Sequence, residues 1–362
     1  MMSFLNQRIM IVLGPVFIGV LLMSALGKTK PSAEDMKNPM AQLDQQTWIV
    51  CPQGPPVCRF TQIQAAIDAA PEGAVITIKT GTYEENLIVR KSLTLQAAEG
   101  EQVVVKSAME SLPTLLLVNG RPIHVEIKGL TFQPARPQQG NGIEIMGMVA
   151  ARLEHNTIQD YQGGILVLGK AEGISDLPVI IHENMIHSSI RILQSTRVTV
   201  SKNAIQGNAA PEPIAIAIDY SGSIVVSENL IEGGGGVWIL LSGLIDITRN
   251  IIRKNFAGVT IEGSKVSVSD NQIEQNGWGV AVISRFQQGA LGSLVWLTGN
   301  RITQQELFGL GVERLEYIAT CEGNHIRDNK EGDYRVQSPL ISLKPERDPA
   351  AEEKLRQQCE GG

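Results

Sequence analysis

From residue 142 onward, apolar and polar residues alternate in runs only three to six residues long. Runs such as Val198-Thr-Val200, Ile224-Val-Val226, Ile245-Asp-Ile247 and Val266-Ser-Val268 have period 2 and are rich in β-branched residues. That pattern predicts half-buried strands. A second family of runs is opened by glycine: Gly142-Ile-Glu-Ile145, Gly164-Ile-Leu-Val167, Gly236-Val-Trp-Ile239, Gly258-Val-Thr-Ile261 and Gly279-Val-Ala-Val282. After each alternating run of the first family comes the tripeptide Asn-x-Ile. Its asparagines are Asn156, Asn184, Asn203, Asn229, Asn250, Asn271, Asn300 and Asn324. They recur every 19 to 29 residues, the signature of a solenoid with insertions in some turns. Each repeat holds at least two short strands and has no room for a helix.

The asparagine suits a tight bend because it tolerates left-handed backbone angles. Stacked copies can pass amide hydrogen bonds from coil to coil. Coils about 4.8 Å apart would place like side chains over like. A narrow coil leaves little space for rings, which agrees with 4% aromatic beside 43% hydrophobic residues. Leucine-rich repeats also place Asn before an apolar residue. They need Leu at fixed offsets, whereas Ile and Val dominate here. The fold predicted is all-β: a single-stranded parallel β-helix with an amino-terminal capping helix.

That helix is predicted over about 61–70. Thr61-Gln-Ile-Gln64 reads as a capping box, Ile63 and Ile67 share a face, and Pro71 and Gly73 end the helix. The passage from 60 to 95, with Gly81, Tyr83 and Glu85 in a Gly-x-Tyr-x-Glu motif, resembles the opening of pectin lyase-like right-handed β-helix proteins, pectin methylesterases among them. The resemblance runs more loosely to about residue 336. It implies a right-handed coil of the carbohydrate-binding and sugar-hydrolase-like repeat group. The methylesterase catalytic motifs are absent: no Gly-Gln-Ala turn, no Asp-Phe-Ile-Phe strand, no Leu-Gly-Arg-Pro-Trp turn. The Asn-Thr-Asp, Asp-Asp and Gly-His-Gly set of polygalacturonases is absent too.

The ends frame this domain. Ile9 to Leu26 is apolar and uncharged, and 1–27 is expected to be a signal peptide or signal anchor. Residues 28–47 read as a linker, 48–338 as the β-helix and 339–362 as a polar tail with a short helix over Ala350 to Gln358. An exported chain favours disulfides. Cys51 and Cys58 bracket a turn-forming stretch, and Cys321 and Cys359 would pin the tail to the last coils. The expected location is extracytoplasmic, either secreted or tethered to a membrane through 9–26. The net charge of −6 gives no nucleic-acid surface.

Candidate chemistry is sparse. His182 and His187 are spaced i, i+5 on a strand and turn, which is not a zinc helix, and no metal site is expected. Gly258 to Lys265 fails as a phosphate loop because its Lys follows the Ser and no helix follows. Gly233 to Gly236 reads as a turn, and 328–333 as a loop. The outward row of the glycine-opened strands is read as Glu144, Leu166, Arg191, Ala215, Trp238, Thr260 and Ala281. Of these, Glu144, Arg191 and Trp238 are the candidate sugar-binding residues: a Trp stacks on a pyranose face and an Arg pairs with a uronate carboxylate. The alternative for Trp238 is burial under an insertion at 286–294.

The function expected is non-enzymatic polysaccharide binding at the cell envelope or outside the cell. The alternatives are a polysaccharide-active enzyme (a lyase or esterase, with calcium if a lyase) and a structural surface protein. No cofactor is expected otherwise, and the chain is expected to be a monomer.

Overall fold

The computed structural model describes residues 48–137, 139–169, 177–207, 214–283, 292–337 and 347–360. The leader and linker expected over 1–47 lie outside the described residues. Among the described residues, no helix is long and apolar enough to cross a membrane.

Each coil has three strands, one more than the alternation alone required, and all pair in parallel with the coils before and after. The first face is built from the alternating runs, for example Val179–His182, Thr196–Ser201, Gly222–Ser227 and Gly243–Thr248. The second face is an 11-stranded sheet that includes the Asn-x-Ile segments. The third holds the glycine-opened strands, such as Gly163–Leu168 and Val237–Leu240, and also Ile190–Leu193, which no glycine opens. The strands Leu115–Lys128 and Asn141–Glu154 run unbroken through the corner between third and first faces. They join those two faces into one 21-stranded sheet.

The core is a set of columns. On the second face Phe132, Ile158, Ile186, Ile205, Ile231, Ile252, Ile273 and Ile302 lie one over another, all fully or almost fully buried. Glycine opens many third-face strands because a side chain has no room there. A Cβ on Gly258 would lie 2.2 Å from the Gly279 carbonyl oxygen and 2.6 Å from a methyl of Ile273.

The eight asparagines form one column at the corner between the first and second faces. The first seven each donate from Nδ2 to the next Oδ1 at 2.9–3.0 Å. Each Oδ1 also accepts a backbone N–H from one coil earlier, as from Asn203 N to Asn229 Oδ1 at 2.9 Å and from Leu130 N to Asn156 Oδ1 at 3.0 Å. The left-handed residue of the bend is the one before the asparagine, not the asparagine itself. His155, Glu183, Lys202, Glu228, Arg249 and Asp270 all have φ between 52° and 58°. The asparagine is there for its side chain, which satisfies buried backbone groups the bend would leave unpaired.

The other two corners carry ladders of their own. Asn255, Asn276, Gln305 and Asn329 stack between second and third faces. Ser195, Ser221, Ser242 and Ser264 stack between third and first, each hydroxyl oxygen accepting the preceding serine's N–H at 2.9–3.1 Å.

The amino-terminal helix, α1, spans Ile63–Ala69 and buries Ile63, Ala66 and Ile67. The expected capping box is not formed. The cap residue is Gln62, whose side chain makes no capping bond. Glu85 takes that role from the strand side: its two carboxylate oxygens accept the N–H groups of Ile63 at 2.8 Å and Gln64 at 2.9 Å. Gln64 in turn bonds the backbone of Ile88 through both ends of its amide. The Gly-x-Tyr-x-Glu motif is therefore a docking device. Glu85 holds α1, Tyr83 donates to the Lys79 carbonyl at 2.8 Å, and Gly81 leaves room for Pro52, whose Cγ would lie 2.7 Å from a Cβ.

At the other end, α2 spans Pro349–Glu360 and buries Leu355 and Cys359. Disulfides join Cys51 to Cys58 and Cys321 to Cys359, the second tying α2 to a first-face strand of the last coils.

Candidate functional site

Register pairing places Glu144, Leu166, Arg191, Ala217, Trp238, Thr260 and Ala281 in one outward row on the third face. The row position assigned from sequence to Ala215 belongs to Ala217; Ala215 is fully buried one step before that strand. Glu144, Arg191 and Trp238 therefore share a row, two coils apart in turn, or about 9.6 Å between neighbours at 4.8 Å per coil.

None of the three stands alone. Asn141 Nδ2 donates to Glu144 at 2.7 Å. Arg191 donates through Nε and Nη2 to Asp219 Oδ2 at 3.2 and 3.1 Å. Asp219 lies in the adjacent outward row, one coil on, with its side chain only 10% exposed while that of Arg191 is 60% exposed. The sequence reading missed Asp219. The strand Ile216–Asp219 follows the insertion at 208–213 and has no opening glycine to fix its register.

The face falls into two zones. From Leu115–Lys128 to Val237–Leu240 most of its outward side chains are half-buried, and no described segment is packed over them. Half-buried Leu116, Val118, Met146, Leu166, Leu168, Leu193 and Leu240 surround Glu144, the Arg191–Asp219 pair and Trp238. Most of these positions would be polar on an ordinary solvated sheet surface. Beyond Trp238, Thr260, Glu262 and Ala281 are buried although they point away from the coil interior. Trp238 packs at this boundary against a second apolar cluster of Ala257, Trp278, Ala281, Ile283 and Phe308. Trp278 stacks on Phe308 at 6.2 Å, meets Phe256 edge-on at 4.9 Å and donates Nε1–H to Thr260 Oγ1 at 3.3 Å. Most of the insertion expected to cover Trp238 lies outside the described residues.

A cavity of about 50 Å³ sits at the corner of this face, lined by Gly147, Val149, Leu168, Leu177, Gln194 and Thr196 among others. That volume has room for a few water molecules. The histidines take structural places: His182 Nδ1 lies 2.8 Å from Ser201 Oγ, and Glu183 bridges His182 and His155 at 3.3 and 3.5 Å. Among the described residues, no group of three or more His, Cys, Asp or Glu side chains is placed to hold a metal ion. Nearby, Arg152 donates to Glu154 and holds its carboxyl below the usual carboxylate range.

This architecture is that of a right-handed parallel β-helix repeat protein, and residues 141–290 match the family described as the right handed beta helix region. Among relatives, a cell surface glycoprotein of Methanothermus fervidus is 26% identical over 248 residues, which cover 61% of this chain and 38% of that protein. The match thus spans little more than a third of that relative's length. Among solved structures, XylC in complex with xylose is 13% identical, with a TM-score of 0.52 over 74% of this chain and 69% of that one. The A-module of mannuronan C-5 epimerase AlgE4 from Azotobacter vinelandii is 15% identical, with a TM-score of 0.44 over 78% and 92%.

Proposed function

We propose that this chain is a non-catalytic polysaccharide-binding protein working at the cell envelope or outside the cell, and that it holds its ligand along the first zone of the third face. The observation that carries the reading is the composition of that zone. Leucine, valine and methionine side chains are laid out in register, with Trp238 at one end and a single exposed guanidinium in the middle. Such a strip offers apolar contact to the C–H faces of pyranose rings, and Arg191 can address a uronate carboxylate from the side not taken by Asp219. An extended glycan lying along the row would meet Glu144, Arg191 and Trp238 at every second coil.

Two further facts support an extracytoplasmic place. All four cysteines are in disulfides, the state of an oxidising compartment. The curated relative is by its name a cell-surface protein. A protein sharing this fold has been solved with xylose, a sugar.

The test is a panel of immobilised polysaccharides (alginate, pectate, xylan and cellulose) with and without calcium, read both for retention and for new reducing ends or unsaturated products. The reading expects retention on at least one support, loss of it in Trp238→Ala, weakening in Arg191→Gln if the glycan is uronate-rich, and no products. Products from any support would make the chain a lyase or hydrolase. Failure to bind every support would end the binding reading.

A further inference from the structure

The second face presents a surface unlike the third. Its central outward column runs Thr157, Met185, Ala204, Leu230, Ile251, Gln272, one residue per coil. Four successive positions in it are apolar, with Met185 49% and Ile251 39% exposed. One side of this stripe is bordered by the left-handed corner residues His155, Glu183, Lys202, Glu228, Arg249 and Asp270. From Glu183 to Asp270 their formal charges alternate strictly. Within the chain, Lys202–Glu183 and Arg249–Glu228 approach to 3.9 and 3.3 Å. The corner positions one coil before and one coil after this run are Gly129 and Gly299, both with left-handed φ. The other side of the stripe carries His187, Gln206, Glu232, Arg253 and Glu274.

The geometry points to a second copy of this chain as the partner for this face, docked with its solenoid axis reversed. A two-fold axis parallel to the strands, passing between the Ala204 and Leu230 coils, lays each column against its own reverse. The corner column then pairs Glu183 with Arg249 and Lys202 with Glu228, opposite in sign, and sets the His155 imidazole against the Asp270 carboxylate. The stripe pairs Met185 with Ile251 and Ala204 with Leu230. On the far side Gln206 meets Glu232 and His187 meets Arg253, with no two carboxylates opposed.

Odd slips and the other two-fold fail on charge, and a two-coil slip keeps opposite signs but over only four of the six coils. A one-coil slip in either direction opposes like charges along the corner column. A two-fold axis along the solenoid would set Glu228 against Glu232, Arg249 against Arg253 and Asp270 against Glu274. Self-complementarity under one two-fold operator is the requirement for an isologous dimer. The complementary run ends where Lys106 would meet Arg327. Six coils by three columns span roughly 24 by 13 Å, about 300 Å² per copy. A stable dimer hides about 800 Å² per partner. The association is therefore weak and reversible rather than obligate, in place of the monomer expected from sequence, and it leaves both third faces free.

Sedimentation equilibrium of the full chain over a range of concentrations tests this. The expected result is a mass rising from one chain toward two, less steeply at high salt. Glu228→Lys, which sets Lys against Lys202 twice, should weaken association at least about tenfold. The double swap Lys202→Glu/Glu228→Lys should restore it, because the cross-pairing is rebuilt. Met185→Asp should weaken it strongly with little change in melting temperature, since Met185 is 49% exposed and lies outside the buried core. A single-chain mass at every concentration overturns the proposal. So does association that none of the variants alters, which would place the contact elsewhere on the chain.

Discussion

Replacing Asn229 separates the asparagine column from the apolar columns beside it. Its Oδ1 accepts from Asn203 N at 2.9 Å and Nδ2 at 3.0 Å, and its own Nδ2 donates to Val200 O, Ser227 O and Asn250 Oδ1 at 2.9–3.0 Å. Asn229→Ala strands the buried Asn203 N–H and leaves a small hole. An orphaned buried backbone group costs about 1–3 kcal/mol, and the lost net hydrogen bonding adds about 1. The expected loss is roughly 3 kcal/mol. Asn229→Asp keeps the shape and the acceptor but turns a donor into an oxygen facing three acceptors, so at neutral pH it should cost more than Ala. Acidification should recover part of that loss, since the protonated carboxyl can donate again. Coupling in a solenoid runs mainly between neighbouring coils, so the reading should be local. Native-state hydrogen exchange at the Asn203 amide should speed up by about two decades in Asn229→Ala, at 1.4 kcal/mol per tenfold. If Asp is tolerated as well as Asn at pH 7, the column is ornament and the account of the corner is wrong.

Glu85→Gln should free the start of α1 at a cost of about 1–2 kcal/mol, seen as faster exchange of the Ile63 and Gln64 amides. Cys321→Ser with Cys359→Ser removes a cross-link over 38 residues, worth about 4 kcal/mol in the chain-entropy account. α2 should then be the first segment cut in limited proteolysis, because Leu355 is its only other buried side chain. Leu244 is 71% exposed with φ 56°, so Leu244→Asn should stabilise the fold by about 1 kcal/mol at most, seen as a higher melting temperature. Burial pushes the Tyr83 hydroxyl up to about 12, with Glu85 and Glu101 adding to it, and burial also raises Tyr161 and Tyr334. The folded state binds these protons more tightly than the unfolded chain, so their contribution is complete below pH 10 and declines as pH rises from 10 toward 12. Tyr83→Phe should flatten part of that decline in a urea titration.

What the sequence revealed and what it hid follow from one distinction. The Asn-x-Ile repeats are legible because a column of like side chains needs the same residue in every coil. The serine column is harder to see: Ser195, Ser221, Ser242 and Ser264 sit among other serines and have no fixed apolar neighbour to mark them. The Asn255 column was hidden by substitution, since Gln305 stands in for an asparagine with a side chain one methylene longer. The helix cap was misplaced for a different reason. Thr61 and Gln64 have the local spacing of a capping box, but Glu85, brought close by the coil, offers a full charge and two acceptor oxygens to the same N–H groups. Short-range patterns cannot register a competitor that arrives through the fold.

The outward rows obey no stacking rule, and this limits what sequence can say about function. Inside, each side chain must match the ones above and below, so type is conserved from coil to coil within the chain itself. Outside, Leu166, Arg191, Ala217 and Trp238 follow one another in a single row with nothing in common. A solvated sheet would fill such rows with Thr, Lys, Glu and Ser, as the first face does at Ser201, Ser227, Thr248 and Ser269. The third and second faces depart from that in opposite ways. One collects leucines around a tryptophan, and the other sets a narrow apolar stripe beside an alternating column of charge. Exposed apolar area on a sheet already closed by its own coils adds nothing to folding, so its persistence over several coils marks contact with something outside the solenoid. The alternating column limits what can dock on the second face, while the third face presents a different side chain at each coil.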